Sequence, residues 1–350
     1  MPVYQAKRSK KVTCCFSSST RPTLPLIGMH QTSMYYGGGS PANDITDLNY
    51  IHGQIYRSEL TWWAVEQSEG AYTWTGLDSI VNSIYALGNV TIAAMILESP
   101  QWASGSSNRY FLPWDSTQGV WDTFCARYAA FCGAVSARYG TKLVYEIWSE
   151  QNEAAWQPAG STNPTKAIQR YGQLFTQAKT AITNASPAAT VMIGGLTGLS
   201  ASSGIRGTDY ITGLINNGIA FEHLAIHPYN YPFDNDPGIH TPGTMNYDDV
   251  VLVYNLLQNY PSYRNVNLWC TECCSFDSAN LGELTQANYV QTVMSRADSG
   301  FEGRIPPGVI RCVVVFLDRD QPGFDHMGVF NSSGTPKQAA TRMRDYMASR

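Results

Sequence analysis

Beyond residue 24 the chain alternates short apolar, β-rich runs with longer stretches in which apolar residues recur every three or four positions. The short runs, at 24–29, 53–59, 89–96, 142–148, 189–195, 221–227, 266–271 and 309–317, are read as eight strands. Between the second and third, Leu77, Ile80, Val81, Ile84, Tyr85 and Leu87 share one helical face that stops at Gly88. The next helix carries Trp121, Phe124, Cys125, Tyr128, Phe131, Cys132 and Val135 on one side and closes near Gly140. The same spacing predicts helices over 165–184, 207–217, 247–259, 284–298 and 336–348, whereas the first crossover, 30–52, reads mostly as loop.

Several strand runs, such as Thr91 to Leu97 and Val309 to Phe316, are almost continuously apolar, as expected of parallel strands covered on both faces. Eight strand-helix units argue for an α/β fold closed into a (β/α)8 TIM barrel, a single domain over 24–350 behind a short N-terminal extension, 1–23. An open doubly wound sheet is the alternative. No G-x-G-x-x-G follows the first strand and no G-x-x-x-x-G-K occurs, so nucleotide chemistry is not expected.

Composition narrows the partners. Of 350 residues 23 are basic and 27 acidic, a net charge of −4, and only 14% are charged against about 25% in ordinary chains. Apart from Lys7, Arg8, Lys10 and Lys11 in a Ser-rich arm there is no basic patch, so no nucleic-acid partner is expected. No run of about 18 apolar residues exists to span a membrane, and residues 1–30 lack the apolar core of a secretory signal; compartment is left open. With 21 Tyr and 9 Trp among many small polar residues, the chain suits neutral, hydroxyl-rich ligands.

Eight cysteines lie at 14, 15, 125, 132, 270, 273, 274 and 312. Cys125 and Cys132 stand seven apart on one helix, roughly 10 Å along its axis, too far to bridge. Cys270-x-x-Cys273-Cys274 looks like half a zinc site but has no second half at suitable spacing. The other reading makes Cys270 and Cys312 small core residues on neighbouring strands. No metal or cofactor is expected.

In a (β/α)8 barrel reactive groups stand at the C-terminal ends of strands. Strand four, Leu143 to Trp148, leads into Ser149-Glu150-Gln151-Asn152-Glu153, and strand seven, Val266 to Thr271, stops at Glu272. Carboxylates from these two ends face each other across the mouth, and hydrolysis of a glycosidic bond requires such a pair.

These residues resemble glycoside hydrolase clan A, and within it the family 39-like enzymes of the β-xylosidase and exopolysaccharide endoglycosidase type, over about 26–345. Tyr145-Glu-Ile-Trp-Ser-Glu-Gln-Asn152 resembles that family's strand-four E-I-W-N-E-P-N, with Trp156 near a downstream family aromatic, and Asn267-Leu-Trp-Cys-Thr-Glu272 its W-x-T-E. Tyr56-Arg57 with Trp63, Glu66, Gly70, Tyr72, Trp74 and Asp78, Ser99-Pro-Gln-Trp-Ala103, His227-Pro-Tyr229, and Met327-Gly328 with Lys337 follow in the family's order.

The resemblance implies a retaining hydrolase acting on a poly- or oligosaccharide, with Glu150 as acid/base and Glu272 as nucleophile. Arg57 would keep Glu272 ionised, Tyr229 would hydrogen-bond it, and His227 would orient the acid/base or a sugar hydroxyl. His30, Trp102, Trp148, Ser149, Trp156 and Phe316 would line the substrate site. Glu153 competes with Glu150 because Asn152-Glu153 spells the family's N-E dipeptide; Trp148, two residues before Glu150, favours Glu150. That register puts Ser149 where the family has Asn, a contact to the hydroxyl beside the reacting carbon, and this leaves a catalytically impaired carbohydrate-binding barrel as the alternative. Phe316 stands where many clan members carry Trp.

Overall fold

A computed structural model of the chain describes residues 24–31, 41–154, 163–202, 204–230, 234–242, 244–273 and 275–350. The expected N-terminal extension 1–23, Trp156 and Cys14, Cys15 and Cys274 lie outside them. Eight parallel strands form a closed barrel. They are β1 (Leu26–His30), β2 (Ile55–Thr61), β3 (Thr91–Leu97), β4 (Leu143–Ser149), β5 (Thr190–Leu196), β6 (His223–Ile226), β7 (Asn267–Cys273) and β8 (Ile310–Val315). Each lies within two residues, at either end, of its expected run.

A helix follows every strand: α1 (Pro41–Ile51), α2 (Thr75–Tyr85), α3 (Gln118–Tyr139), α4 (Pro164–Ala185), α5 (Gly207–Asn216), α6 (Asp249–Gln258), α7 (Glu283–Asp298) and α8 (Gln338–Ala348). All seven apolar residues read as the inner face of α3 are buried. Thr117 caps its first turn, accepting from the Val120 amide, and Gly140, with φ 53°, ends it. Asn163 caps α4 by accepting from the Lys166 amide at 3.1 Å, with Pro164 at the first helical position. α8 packs against α7 and α1, closing the outer ring; Tyr50 and Thr341 hydroxyls meet at 3.1 Å.

The reading of 30–52 as mostly loop is corrected by α1. Its buried face is Asp44, Asp47, Leu48 and Ile51, so two aspartates occupy positions where periodicity looks for apolar residues. Tertiary partners make this tolerable, since Tyr56 donates to Asp44 at 3.0 Å and Arg319 pairs with Asp47 at 2.6 Å.

Inside the barrel, Ile55, Ala93, Met192, Ala225, Trp269, Cys312 and Val314 fill the lower layers. One step up, β2, β4, β6 and β7 turn polar with Arg57, Glu146, His227 and Thr271, all buried, which is where the site begins. Cys125, Cys132, Cys270, Cys273 and Cys312 are buried free thiols, the last three on the adjacent strands β7 and β8. Burial holds the thiols of Cys270 and Cys312 well above their ordinary pKa, as expected of inert core residues.

Candidate active site

Alternation along β2 sends Ile55 into the apolar floor and therefore Arg57 into the layer above it. Fully buried, its guanidinium holds Glu146 of β4 through two bonds of 3.0 Å. It also donates to Glu272 Oε1 at the end of β7, and its Nη1 lies 2.9 Å from His30 Nδ1. Burial would neutralise this arginine, but the charges of Glu146 and Glu272 outweigh it and hold the guanidinium above its ordinary pKa. Burial likewise opposes ionisation of Glu146, yet Arg57 and the hydrogen bonds from His227 and Arg57 bring its carboxyl down to about 2. The Gly195 amide, at 3.0 Å, and Thr271, at 3.3 Å, complete the shell of Glu146.

Glu272 takes a second bond from the Tyr229 hydroxyl, at 2.6 Å. Despite burial, the charges of His227, Arg57 and His30 and the bond from Tyr229 keep it well below the usual carboxylate range. His227 stands between the carboxylates. Its Nδ1 is 2.9 Å from Glu150 Oε1 and 3.7 Å from Glu272 Oε2, and its Nε2 is 3.8 Å from Glu146 Oε1. Burial would lower its pKa, but Glu272 and the hydrogen bonds to Glu146 and Glu150 raise it to about 9. Its Nε2 also lies 3.4 Å from Arg57 Nη2, so the imidazole links the guanidinium to Glu150.

How Glu150 reaches this point is a matter of backbone geometry. β4 alternates regularly up to Ile147, after which Trp148 (φ 66°) and Glu150 (φ 48°) adopt left-handed conformations. Regular alternation would aim Trp148, like Val144 and Glu146, into the barrel. Instead it is fully buried in the outer core, edge-on to Tyr128 of α3 at 5.8 Å. The expectation that Trp148 lines the substrate site is therefore corrected. The Glu150 amide bonds the Gly195 carbonyl at 2.8 Å. Gly194 permits the close approach, since a Cβ there would lie 2.3 Å from the Ile147 carbonyl oxygen, and Gly195 makes room for the imidazole, since a Cβ there would lie 2.0 Å from His227 Nε2.

The structure brings together Glu150, Glu272, Arg57, His227, Tyr229, His30 and Phe316. His30 stacks on Phe316 at 5.4 Å, and Tyr229 meets the same ring edge-on at 6.3 Å. Ser149, half-buried, ends β4 opposite Gly195. Glu153 points away: it accepts from Ser202 at 3.0 Å and from the Ala154 amide, tying the loop after β4 to the one after β5. Trp102 is half-buried to one side, bonded to the Glu66 carbonyl at 3.1 Å. Trp62 and Trp114 are core residues.

Sequence reasoning assigned no role to Glu146 or Glu59. Glu146 was visible as a charge at an inward position of an apolar strand. Glu59, two residues beyond Arg57 and so on the same face of β2, has one oxygen 3.7 Å from His30 Nε2 and a second, buried, that finds no hydrogen-bond partner among the described residues.

Single atoms of Glu150, His227 and Glu272 lie within 4.8 Å of one another, a spacing that can also hold a cation. Arg57 and Tyr229 already occupy the two oxygens of Glu272, and the Arg57 cation adjoins His227, so these donors fit a metal poorly. A second such group, His240, Asp248 and Asp249, is bordered by Arg304 and Arg296 at 3.4 and 3.9 Å.

No family model matches the chain, and no curated protein matches it in sequence. Solved structures do match it in fold. A family 39 glycoside hydrolase from the gut symbiont Bacteroides cellulosilyticus WH2 superimposes with a TM-score of 0.67 at 16% identity, over 93% of this chain and 64% of its own. A monomeric β-xylosidase from Caulobacter crescentus CB15 gives 0.66 at 15%, over 93% and 68%. Xylanase B from Clostridium stercorarium F9 gives 0.62 at 14%, over 92% and 97%. The chain thus spans about two thirds of the length of the first two. It shares the (β/α)8 fold of these glycoside hydrolases, in agreement with the resemblance read from its motifs.

Proposed function

We propose that the protein is a retaining glycoside hydrolase acting on a poly- or oligosaccharide. One observation carries the reading: Glu150 and Glu272, from opposite sides of the barrel mouth, bring carboxylate oxygens within 4.8 Å of each other. Retaining enzymes keep their carboxyl groups about 5–5.5 Å apart, whereas inverting enzymes need about 6.5–9.5 Å to admit a water. The fold shared with a β-xylosidase and a xylanase supports β-linked sugars as the substrate class.

The two carboxylates are differentiated as the chemistry requires. Glu272, held ionised by Arg57, His227 and Tyr229, attacks the anomeric carbon. Glu150 Oε1 and His227 Nδ1 lie 2.9 Å apart and share a hydrogen bond, and Glu150 as acid delivers a proton to the departing glycosidic oxygen. In the second step Glu150 removes a proton from water, the water oxygen bonds the anomeric carbon, and Glu272 leaves as carboxylate. Tyr229 and Arg57 stabilise the charge that returns to it. Ser149, in place of the family's Asn, favours a second reading, a barrel that binds carbohydrate without turning it over.

The test is release of reducing sugar from a polysaccharide panel by wild type, Glu272→Gln, Glu150→Gln and Glu153→Gln, with the first anomer read by NMR. Loss at 272 and 150, activity kept at 153 and a retained anomer are expected. An inverted anomer, or binding without hydrolysis in the wild type, would overturn the proposal.

A further inference from the structure

At the end of the barrel where the carboxylates stand, the segments that follow β2 and β3 border a cleft of about 660 Å³ lined by Trp63, Gln67, Pro100, Gln101, Trp102, Ser107 and Arg109. Its aromatic walls are fixed. Trp63 donates from its indole nitrogen to Glu98 at 2.7 Å, and its amide bonds the Glu98 carbonyl at 3.0 Å. Trp102 is bonded to the Glu66 carbonyl and carries the Arg127 guanidinium 5.3 Å from its ring centre. The cleft's cation is fixed as well. The Arg109 guanidinium lies 3.5 Å over the Trp63 ring, and its carbonyl accepts from the Ser99 amide at 2.8 Å.

A platform for neutral sugars presents a bare aromatic face. Here one face of Trp63 carries a guanidinium, a planar fork of donors that matches a carboxylate and is favoured by the ring beneath it. The charges at the reaction centre point the same way. Arg57 and His227 are engaged by Glu146, Glu272 and Glu150, and Glu59 adds a further carboxylate. A negatively charged substituent is repelled there and drawn towards Arg109.

We infer that this cleft is a subsite for a carboxylate-bearing sugar, with Arg109 gripping the carboxylate and the exposed Gln67, Gln101 and Ser107 meeting hydroxyls. The substrate is thereby an acidic polysaccharide whose uronate sits away from the bond that is cut. This rests on the glycosidase reading only for the word substrate; the binding itself does not.

The experiment is calorimetric titration of the Glu272→Gln protein, which needs no turnover. The probes are glucuronate-bearing oligosaccharides from gellan, xanthan and glucuronoxylan, each beside its carboxyl-reduced form. At least one acidic probe is expected to bind tenfold or more tighter than its reduced partner, the preference weakening with salt. Adding Arg109→Gln should abolish the preference without weakening the reduced form, and Arg109→Lys should keep part of it. Equal binding of both forms, a preference that survives Arg109→Gln, or no binding of any probe overturns the inference. A preference that depends on Arg109 in a protein whose wild type hydrolyses nothing leaves the subsite standing and removes the glycosidase reading.

Discussion

Replacing Gly195 by Ala tests the geometry of the site without touching either carboxylate. The new methyl would lie 2.0 Å from His227 Nε2, 2.6 Å from Cδ2 and 2.7 Å from Cε1. An ordinary contact is 3.4 Å, so the ring must retreat by about 1.4 Å. Its Nδ1 is held 2.9 Å from Glu150, and the retreat comes at the expense of that bond. A hydrogen bond to a charged group contributes about 1.5–3 kcal/mol, which corresponds to roughly 10- to 100-fold in turnover if it is expressed in the transition state. A destabilisation of about 2 kcal/mol would lower the melting temperature of a chain this long by roughly 3 °C. The assay pairs hydrolysis of the best substrate with calorimetric melting for Gly195→Ala, His227→Ala and the double variant. If the clash is with the imidazole, the methyl costs little stability once the ring is gone. Wild-type turnover and melting in Gly195→Ala, or an equal penalty with and without His227, refutes the reasoning.

Three further outcomes are expected. Tyr229→Phe removes the 2.6 Å bond that helps keep Glu272 ionised, so the nucleophile's pKa rises and the acid limb of the pH–rate profile moves to higher pH, with turnover about tenfold lower. Buried Asp318 has its pKa raised to about 8, first by burial and then by the charges of Asp44 and Asp47. The folded state thus binds one proton more than the unfolded chain between the ordinary aspartate value and about 8, and stability contributed by that proton is lost as pH rises through this window. Asp318→Asn should remove a slope of about 1.4 kcal/mol per pH unit between pH 5 and 7, read from urea melts at several pH values; parallel stability curves for the two proteins would count against it. Ser149→Asn restores an amide beside the reacting carbon and should raise turnover on simple β-glycosides, measured as kcat; an unchanged kcat removes the significance given to that position.

The barrel was legible because its signals are local and repeated. Each strand is a short apolar run, each helix after β2 carries an apolar stripe, and a shift of one or two residues at an end alters nothing about the order. α1 was missed where the pattern is not local. Its inner face holds Asp44 and Asp47, whose partners Tyr56 and Arg319 are 12 and 272 residues away, so no window of the sequence contains the reason those carboxylates can be buried. The grip of Arg57 on Glu146 has the same character, joining residues 89 apart. Removing one member of such a buried network leaves an uncompensated charge, a loss of about 3–5 kcal/mol. Only their acidic letters on a buried strand and helix hinted that partners must exist.

Trp148 shows a different kind of failure, and the more informative one. Alternation is correct along β4 for Val144, Tyr145, Glu146 and Ile147, and it fails at the next residue because Trp148 and Glu150 take positive φ values, 66° and 48°. The failure has a local physical cause on the neighbouring strand: Gly194 carries no side chain, so the end of β4 can close to distances from β5 that a Cβ would forbid, while Gly195 leaves room for the His227 ring. With Trp148 turned outward onto Tyr128, the chain has the slack to bring Glu150 back over the mouth, where its amide bonds the Gly195 carbonyl and its carboxylate meets His227. Strained conformations of this kind persist where surrounding contacts over-determine them. Gly194 against the end of β4, the unexpected burial of Trp148 and the delivery of Glu150 are therefore one device, with Gly195 admitting the His227 ring that Glu150 meets, and the pattern rule breaks at the strand end that presents the acid.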